Sequence, residues 1–228
     1  MLRQFLEPRA KTGTLCVLAH CDDETIVCGG LLARLAANGG KVLAVALCGR
    51  DPKRRKELKA ASRCLGISCA AFDYQDATLT ESLLPGIVSE ITGLIREERP
   101  DLLITHDPEF DYNPDHLLLG RCVPYAAQKA GMSETGHRAK LIIAGEVNVP
   151  IPFPDFLVDV TEQASAVQAA IACHASQLAA THKKDYYSRF LEARGHWRGV
   201  QAGCGAAMAF RRLPLPVIGD LYGVPTAI

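Results

Sequence analysis

Two uninterrupted apolar runs, separated by a single stretch of helix length, constrain this chain more than any other feature. Thr14-Leu-Cys-Val-Leu-Ala-His20 and Lys41-Val-Leu-Ala-Val-Ala-Leu-Cys48 have the length of strands and lack polar alternation. That is the pattern of strands covered on both faces. Between them, Asp23 to Ala37 reads as a helix ended by Asn38-Gly39-Gly40. The rhythm then repeats. A charged helix from about Lys53 to Leu65 stops at Gly66, and Ile67 to Phe72 reads as a third strand. A helix from Leu84 to Glu98 closes at Arg99-Pro100 before a strand over Asp101 to Thr105. Pro114 and Asp115 announce a helix to about Ala130, and Leu141 to Ala144 is a fifth strand. This succession predicts an α/β fold, a Rossmann-like three-layer sandwich with a mainly parallel sheet. Either a flavodoxin-like or a Rossmann-like strand order suits the first 145 or so residues.

Beyond Ala144 the pattern is less regular. Phe156 to Val160 suits an edge strand and Thr161 to about Ala180 one long helix. A Tyr-, Arg- and Gly-rich stretch and a Pro-punctuated tail follow, expected to pack on the sheet and to help form a homo-oligomer. At 228 residues the chain suits one domain over 1–228, with a core over about 12–145 and a C-terminal elaboration over about 146–228. Lys plus Arg equals Asp plus Glu at 25 each, so no overall charge draws the chain to nucleic acid or anionic lipid. Nine cysteines, an odd number without a C-x-x-C pair, sit largely in apolar stretches. They read as free thiols in a reducing compartment. With no signal-peptide pattern and no run of membrane-spanning length, a cytoplasmic location is expected.

In an open parallel sheet, ligands bind beyond the carboxyl ends of the strands, at the switch point in strand order. His20 ends the first strand, and Cys21, Asp22, Asp23 and Glu24 lead into the next helix. The loop from His106 to His116 follows the fourth strand, so neighbouring first and fourth strands would bring both clusters to one crevice. Two imidazoles and one carboxylate suit Zn²⁺ with an open coordination position, and a second carboxylate can take a proton from water. The competing reading is that the acids only cap a helix or occupy its first turn. His20 has no part in such capping, yet by spacing alone both readings stand. Gly29-Gly30 makes no dinucleotide fingerprint, because the G-x-G-x-x-G spacing is absent.

Ala19-His20-Cys21-Asp22-Asp23-Glu24 resembles the AHPDDE signature of the LmbE-like, or PIG-L-like, zinc-dependent N-deacetylases. Arg54-x-x-Glu57-Leu58 resembles that family's R-x-x-E-L helix, and Asp111-Tyr112-Asn113-Pro114-Asp115-His116 its D-Y-H-P-D-H segment. His174-Ala-Ser-Gln177 resembles its H-x-S-Q helix. The resemblance implies that His20, Asp23 and His116 bind Zn²⁺, or another divalent metal, and that Asp22 is the general base toward a water at the metal. It implies Asp115 as the acidic partner beside the ligand His116, with Arg54 and Asp76 near the substrate and His174 supporting the site. The activity implied is hydrolysis of the acetamide of an N-acetylated amino sugar or glycoconjugate. The alternatives are an amidase removing a larger acyl group, or a non-catalytic sugar- or nucleotide-binding module.

Three departures from the family pattern bear on this reading. Cys21 replaces a proline and is expected to be a buried spectator. Asn113 replaces a histidine; it can donate a hydrogen bond but cannot shuttle a proton. Met208 replaces a glutamate in Ala207-Met208-Ala209-Phe210, which suggests altered substrate contacts or assembly. Glu24 is expected only to support the start of the helix or the surroundings of the ligands. His106 suits a substrate contact, a stand-in for the histidine missing at Asn113, or a satisfied loop histidine. Tyr112, Tyr186, Tyr187 and Trp197 suit either sugar stacking or ordinary packing.

Overall fold

The computed structural model describes residues 13–132, 134–180 and 185–214. The N-terminal segment before Gly13, His182 and the tail beyond Pro214, with the contacts expected of it, lie outside the described residues.

The alternating pattern gives β1 (Gly13–His20), α1 (Asp23–Ala37), β2 (Lys41–Cys48), α2 (Pro52–Leu65) and β3 (Ser68–Ala71). Then come α3 (Leu84–Glu98), β4 (Leu102–His106), α4 (Pro114–Ala130) and β5 (Leu141–Gly145). These five strands are parallel in the order β3-β2-β1-β4-β5, the Rossmann-like one of the two expected orders. The apolar run of β1 is explained by its two faces. Leu15, Val17 and Ala19 pack with residues of α3 and α4, whereas Cys16 and Leu18 pack with α1. Gly66 ends α2 in the left-handed conformation at φ 72°, as its position after the last apolar residue predicts.

The C-terminal part extends the same sheet. β6 (Phe156–Asp159) lies at its edge, as expected, but pairs with β7 (Ala207–Arg212), which inserts between it and β5. Both pairings of β7 are antiparallel. The short, small-residue run of β7 does not announce a strand; long-range pairing and the Phe156–Phe210 ring stack at 5.7 Å make it one. The expected helix from Thr161 to Ala180 is interrupted. A 3₁₀ turn (Thr161–Gln163) leads into α5 (Ala164–Cys173), and α6 (Ala175–Ala180) follows after a break at His174. There φ −82° and ψ 51° leave the helical region, and the His174 ring turns inward onto Glu24 at 3.0 Å. A buried side-chain bond thus overrides helix periodicity. α7 (Tyr186–Ala202) completes the described chain before β7.

One glycine governs how α4 meets β4. A Cβ on Gly120 would lie 2.7 Å from the His106 carbonyl oxygen and 2.9 Å from the Pro108 nitrogen. Neither backbone atom can yield without moving the end of β4. Gly120→Ala should therefore destabilise the protein by about 1–3 kcal/mol, despite alanine's better helix propensity. Thermal unfolding would reveal this as a lowered midpoint; an unchanged or raised midpoint would show that the helix can shift outward freely.

Candidate metal centre

β1 and β4 are neighbours, and the turns beyond their carboxyl ends deliver His20 and Asp23 on one side and His116 on the other. Although 96 positions apart in sequence, His20 Nδ1 and His116 Nε2 lie 3.0 Å apart. Asp23 Oδ2 is 3.2 Å from His20 Nδ1 and 3.5 Å from His116 Nε2. All three side chains are buried. Ligand atoms about 2.0–2.1 Å from a tetrahedral ion stand about 3.3 Å from one another. The three separations bracket that value, so the trio has the dimensions of one face of a zinc site.

The far side of each ring carries its own carboxylate. His116 Nδ1 is 2.9 Å from Asp111 Oδ2, and His20 Nε2 is 3.2 Å from Asp115 Oδ2 and 3.1 Å from Asp76 Oδ1. An N–H donated outward to a carboxylate leaves the inward nitrogen with its lone pair, as carboxylate–histidine–metal arrays require. Two inward lone pairs beside a carboxylate need a cation or protons between them, so the donor set fits a divalent metal. Burial disfavours charge on His116, but Asp23 and Asp111 outweigh it and raise its pKa to about 9. His20 is likewise driven upward, against burial, chiefly by Asp23. A further grouping of His20, Cys48 and Asp115 is also close enough to hold an ion. There burial pushes the Cys48 thiol up to about 12, which opposes the thiolate a metal would need.

Asp115 is thus a carboxylate partner of a histidine, but of His20, which corrects the expected pairing with the adjacent His116. The physical reason is helix geometry. Adjacent residues in the first turn of α4 point in different directions, and Asp115 turns toward β1 and the loop beyond β3. There it also accepts from the Ala77 and Leu79 backbone N–H groups at 2.9 and 3.2 Å. The partner of His116 is Asp111, a residue of the quoted motif to which the sequence attached no role. Asp111 is saturated by the N–H groups of Tyr112 and Asn113 and by the Asn148 amide at 2.8 Å. Burial would raise its pKa, but the bonds from His116 and Asn148 lower it to about 2. Replacing Asp111 with asparagine should weaken zinc binding by roughly 10–100-fold, the usual cost of losing such a partner. Titration against a competing chelator would measure this; unaltered affinity would mean that His116 is oriented by packing alone.

Asp22 stands at the N-cap of α1, yet its side chain makes no capping hydrogen bond. Its Oδ1 instead accepts from Arg54 Nη2 at 2.8 Å. Burial and then the neighbouring Asp23 raise the Asp22 pKa, while Arg54 pulls it back. Arg54 also donates to Asp76, whose half-exposed carboxylate is lowered to about 2, first by its bond with His20. The helix-cap alternative therefore fails for Asp22, whose carboxylate sits beside His20 and Asp23 and shares an arginine with Asp76.

The remaining residues sort themselves by burial and partner. Glu24 and His174 form a buried pair at 3.0 Å beneath the turn into α1. Glu57, on α2 with Arg54, accepts from the N–H and hydroxyl of Ser176 at 2.9 and 2.5 Å. Cys21 is fully buried against Ala46 and Leu58, and burial lifts its thiol to about 12, so it is the expected spectator. Asn113 caps α4 by accepting the Asp115 N–H at 2.9 Å, which commits its side-chain oxygen. His106 is not a loop residue. It is the last residue of β4, fully buried, and stacks on His116 with ring centroids 3.9 Å apart. Met208 lines a cavity of about 390 Å³ with Val167 and Leu191, apart from His20, Asp23 and His116. Trp197 carries the Arg198 guanidinium over its ring at 4.1 Å, and Tyr186 packs against Tyr187 and Phe190. Tyr112 is 71% exposed beside the centre.

Residues 15–127 match a family model described as PIG-L: GlcNAc-PI de-N-acetylase. The chain is 32% identical over 169 residues to the 1D-myo-inositol 2-acetamido-2-deoxy-alpha-D-glucopyranoside deacetylase of Streptomyces griseus, covering 57% of this chain and 53% of that one. It is 30% identical over 197 residues to the protein of the same name from Rhodococcus erythropolis, covering 69% and 64%. The match thus spans only about half to two thirds of these relatives' length. Among solved structures, N,N'-diacetylchitobiose deacetylase from Pyrococcus horikoshii superimposes with a TM-score of 0.77 at 22% identity, covering 95% of this chain and 88% of that one. The 4-carboxy-2-hydroxymuconate hydratase from Pseudomonas putida KT2440 superimposes with a TM-score of 0.75 at 24% identity, covering 92% and 99%. At such identities these likenesses concern the fold, which hosts more than one reaction. Fold, signature and family match agree: the chain carries a PIG-L, or LmbE-like, domain.

Proposed function

We propose that this protein is a single-domain, metal-dependent N-deacetylase that hydrolyses the acetamide of an N-acetylated amino sugar or glycoconjugate. The observation that carries the reading is the convergence of His20 Nδ1, His116 Nε2 and Asp23 Oδ2 within 3.0–3.5 Å beside the uncapped carboxylate of Asp22. His20, Asp23 and His116 would hold the metal, with Zn²⁺ as the ion that their chemistry suits. When bound, such an ion polarises an amide carbonyl and lowers the pKa of water. Asp22 takes the proton from the attacking water and returns it to the departing amine. Its raised pKa brings it closer to what a base working near neutrality needs. Arg54 orients Asp22 and ties it to Asp76, whose half-exposed carboxylate is suited to a sugar hydroxyl. Asn113, its oxygen committed to the cap, retains an amide N–H₂ to donate to the developing oxyanion.

The family description and the names of the curated relatives supply the substrate class, a 2-acetamido-2-deoxy sugar. Among the described residues no helix is long and apolar enough to cross a membrane. The test is metal analysis of the purified protein, paired with acetate release from a panel of N-acetylglucosaminides. The expected result is bound zinc, acetate release that chelation abolishes and zinc restores, and loss of the metal in His116→Ala. Absence of bound divalent metal together with chelator-insensitive turnover would overturn the reading. Acetate retained on every substrate by the zinc-loaded protein would point to a larger acyl group or a different reaction.

A further inference from the structure

We propose that Cys64 and Cys173 form a redox-modification site, a reversible disulfide that clamps the end of α2 to the junction of α5 and α6. Cys64 lies in the last turn of α2 and Cys173 is the last residue of α5. Their sulfurs are 3.8 Å apart, although 109 positions separate them in sequence. Cys64 is exposed and Cys173 is partly so. A second close pair, Cys16 and Cys28 at 3.4 Å, is fully buried and out of reach of a solution oxidant. Proximity and access thus coincide at one pair among the described residues.

The location gives the bond a consequence. α2 carries Arg54, which holds Asp22, and Glu57, which grips Ser176 at the start of α6. Cys173 directly precedes His174, where the helix breaks and the ring reaches Glu24. A bond between the two cysteines joins covalently what those hydrogen bonds already hold together, and fixes the break over the buried acids. The oxidant is a low-molecular-weight disulfide. The exposed Cys64 thiolate attacks one of its sulfurs, forms a mixed disulfide and releases one thiol. The Cys173 thiolate then displaces the second thiol, so two protein thiols are oxidised to a disulfide and one small disulfide is reduced to two thiols.

Native protein treated with oxidised glutathione at about pH 8.5, where an ordinary thiol is half ionised, tests this directly. The expected outcome is the loss of two thiols, one cross-link joining the Cys64 and Cys173 peptides, and full reversal by dithiothreitol. Closing so long a loop should raise the thermal midpoint by roughly 5–15 °C. Cys173→Ser should stop at a single glutathione adduct on Cys64, and Cys64→Ser should form no cross-link. Separate adducts on both cysteines, no reaction at either, a cross-link through another cysteine, or an unchanged thermal midpoint of the cross-linked protein would each overturn the proposal. None of these readouts depends on the deacetylase reading.

Discussion

Replacing Asp22 with asparagine should lower acetate release by roughly 10²–10⁴-fold while leaving the zinc content of the protein unchanged. The substitution is close to isosteric. An asparagine oxygen can still accept the 2.8 Å bond from Arg54, so the turn into α1 keeps its anchor. What disappears is the ability to take a proton from water and return it to the amine. His116→Ala makes the necessary contrast, because it removes one of the three converging ligand atoms and should cost the metal itself. Rates and metal analysis on both variants separate the roles. If Asp22→Asn turned over within about threefold of the parent, well short of a general-base effect, the base would have to be another group. If Asp22→Asn lost its zinc, Asp22 would belong to the ligand set.

A comparably large effect, on stability, is expected far from the chemistry. Glu146, just beyond β5, takes both the Nε and an Nη group of Arg198, the former at 3.2 Å. Both side chains are almost wholly buried, at 3% and 1% exposure. Glu146→Ala should therefore cost about 3–5 kcal/mol, because it leaves the Arg198 charge buried and unpaired. The backbone oxygen of Ile151, accepting from Arg198 at 2.7 Å, cannot neutralise that charge. Replacing both residues with leucine should recover most of the loss, since it also removes the desolvation penalty. Urea unfolding of the three proteins would decide the matter; a single-mutant loss below about 1 kcal/mol would mean that water enters to solvate the arginine. The effect should extend to the metal centre. Asn148, in the same loop, donates to Asp111, and Asp111 holds His116. A loosened loop should therefore weaken zinc binding in the part of the population that stays folded.

Much of this architecture is legible along the chain because it is local. The runs Thr14–His20 and Lys41–Cys48 are apolar at consecutive positions, which only a strand covered on both faces demands. Gly66 and the Asn38-Gly39-Gly40 stop mark helix ends because the chain must turn left-handed there, as the positive φ of Gly39 and Gly66 records. Connection rules then favour a parallel sheet, whereas the choice of the Rossmann-like order, and with it the meeting of His20 and His116, was made by the tertiary structure. The C-terminal part is harder to read because its signals are not local. β7 becomes a strand only by inserting between β5 and β6, and α5 ends where His174 must reach Glu24. No periodicity encodes a partner 150 positions away.

By itself the sequence determined the kind of fold and the identity of the chemical groups. Strand-length apolar runs and helix stops depend on short-range sterics and on burial, and a His-x-Asp-Asp cluster carries its own ligand chemistry. Only the tertiary structure decided which carboxylate serves which group. It gave Asp115 to His20 and Asp111 to His116, freed Asp22 from capping, and buried His106 beneath His116. Those assignments depend on where side chains point from the first turn of α4 and from the end of β4. Such directions are set by the packing of two neighbouring strands and one helix, with Gly120 controlling how closely that helix approaches. Residue order specifies the groups; their pairing emerges when distant backbone is brought within hydrogen-bonding range.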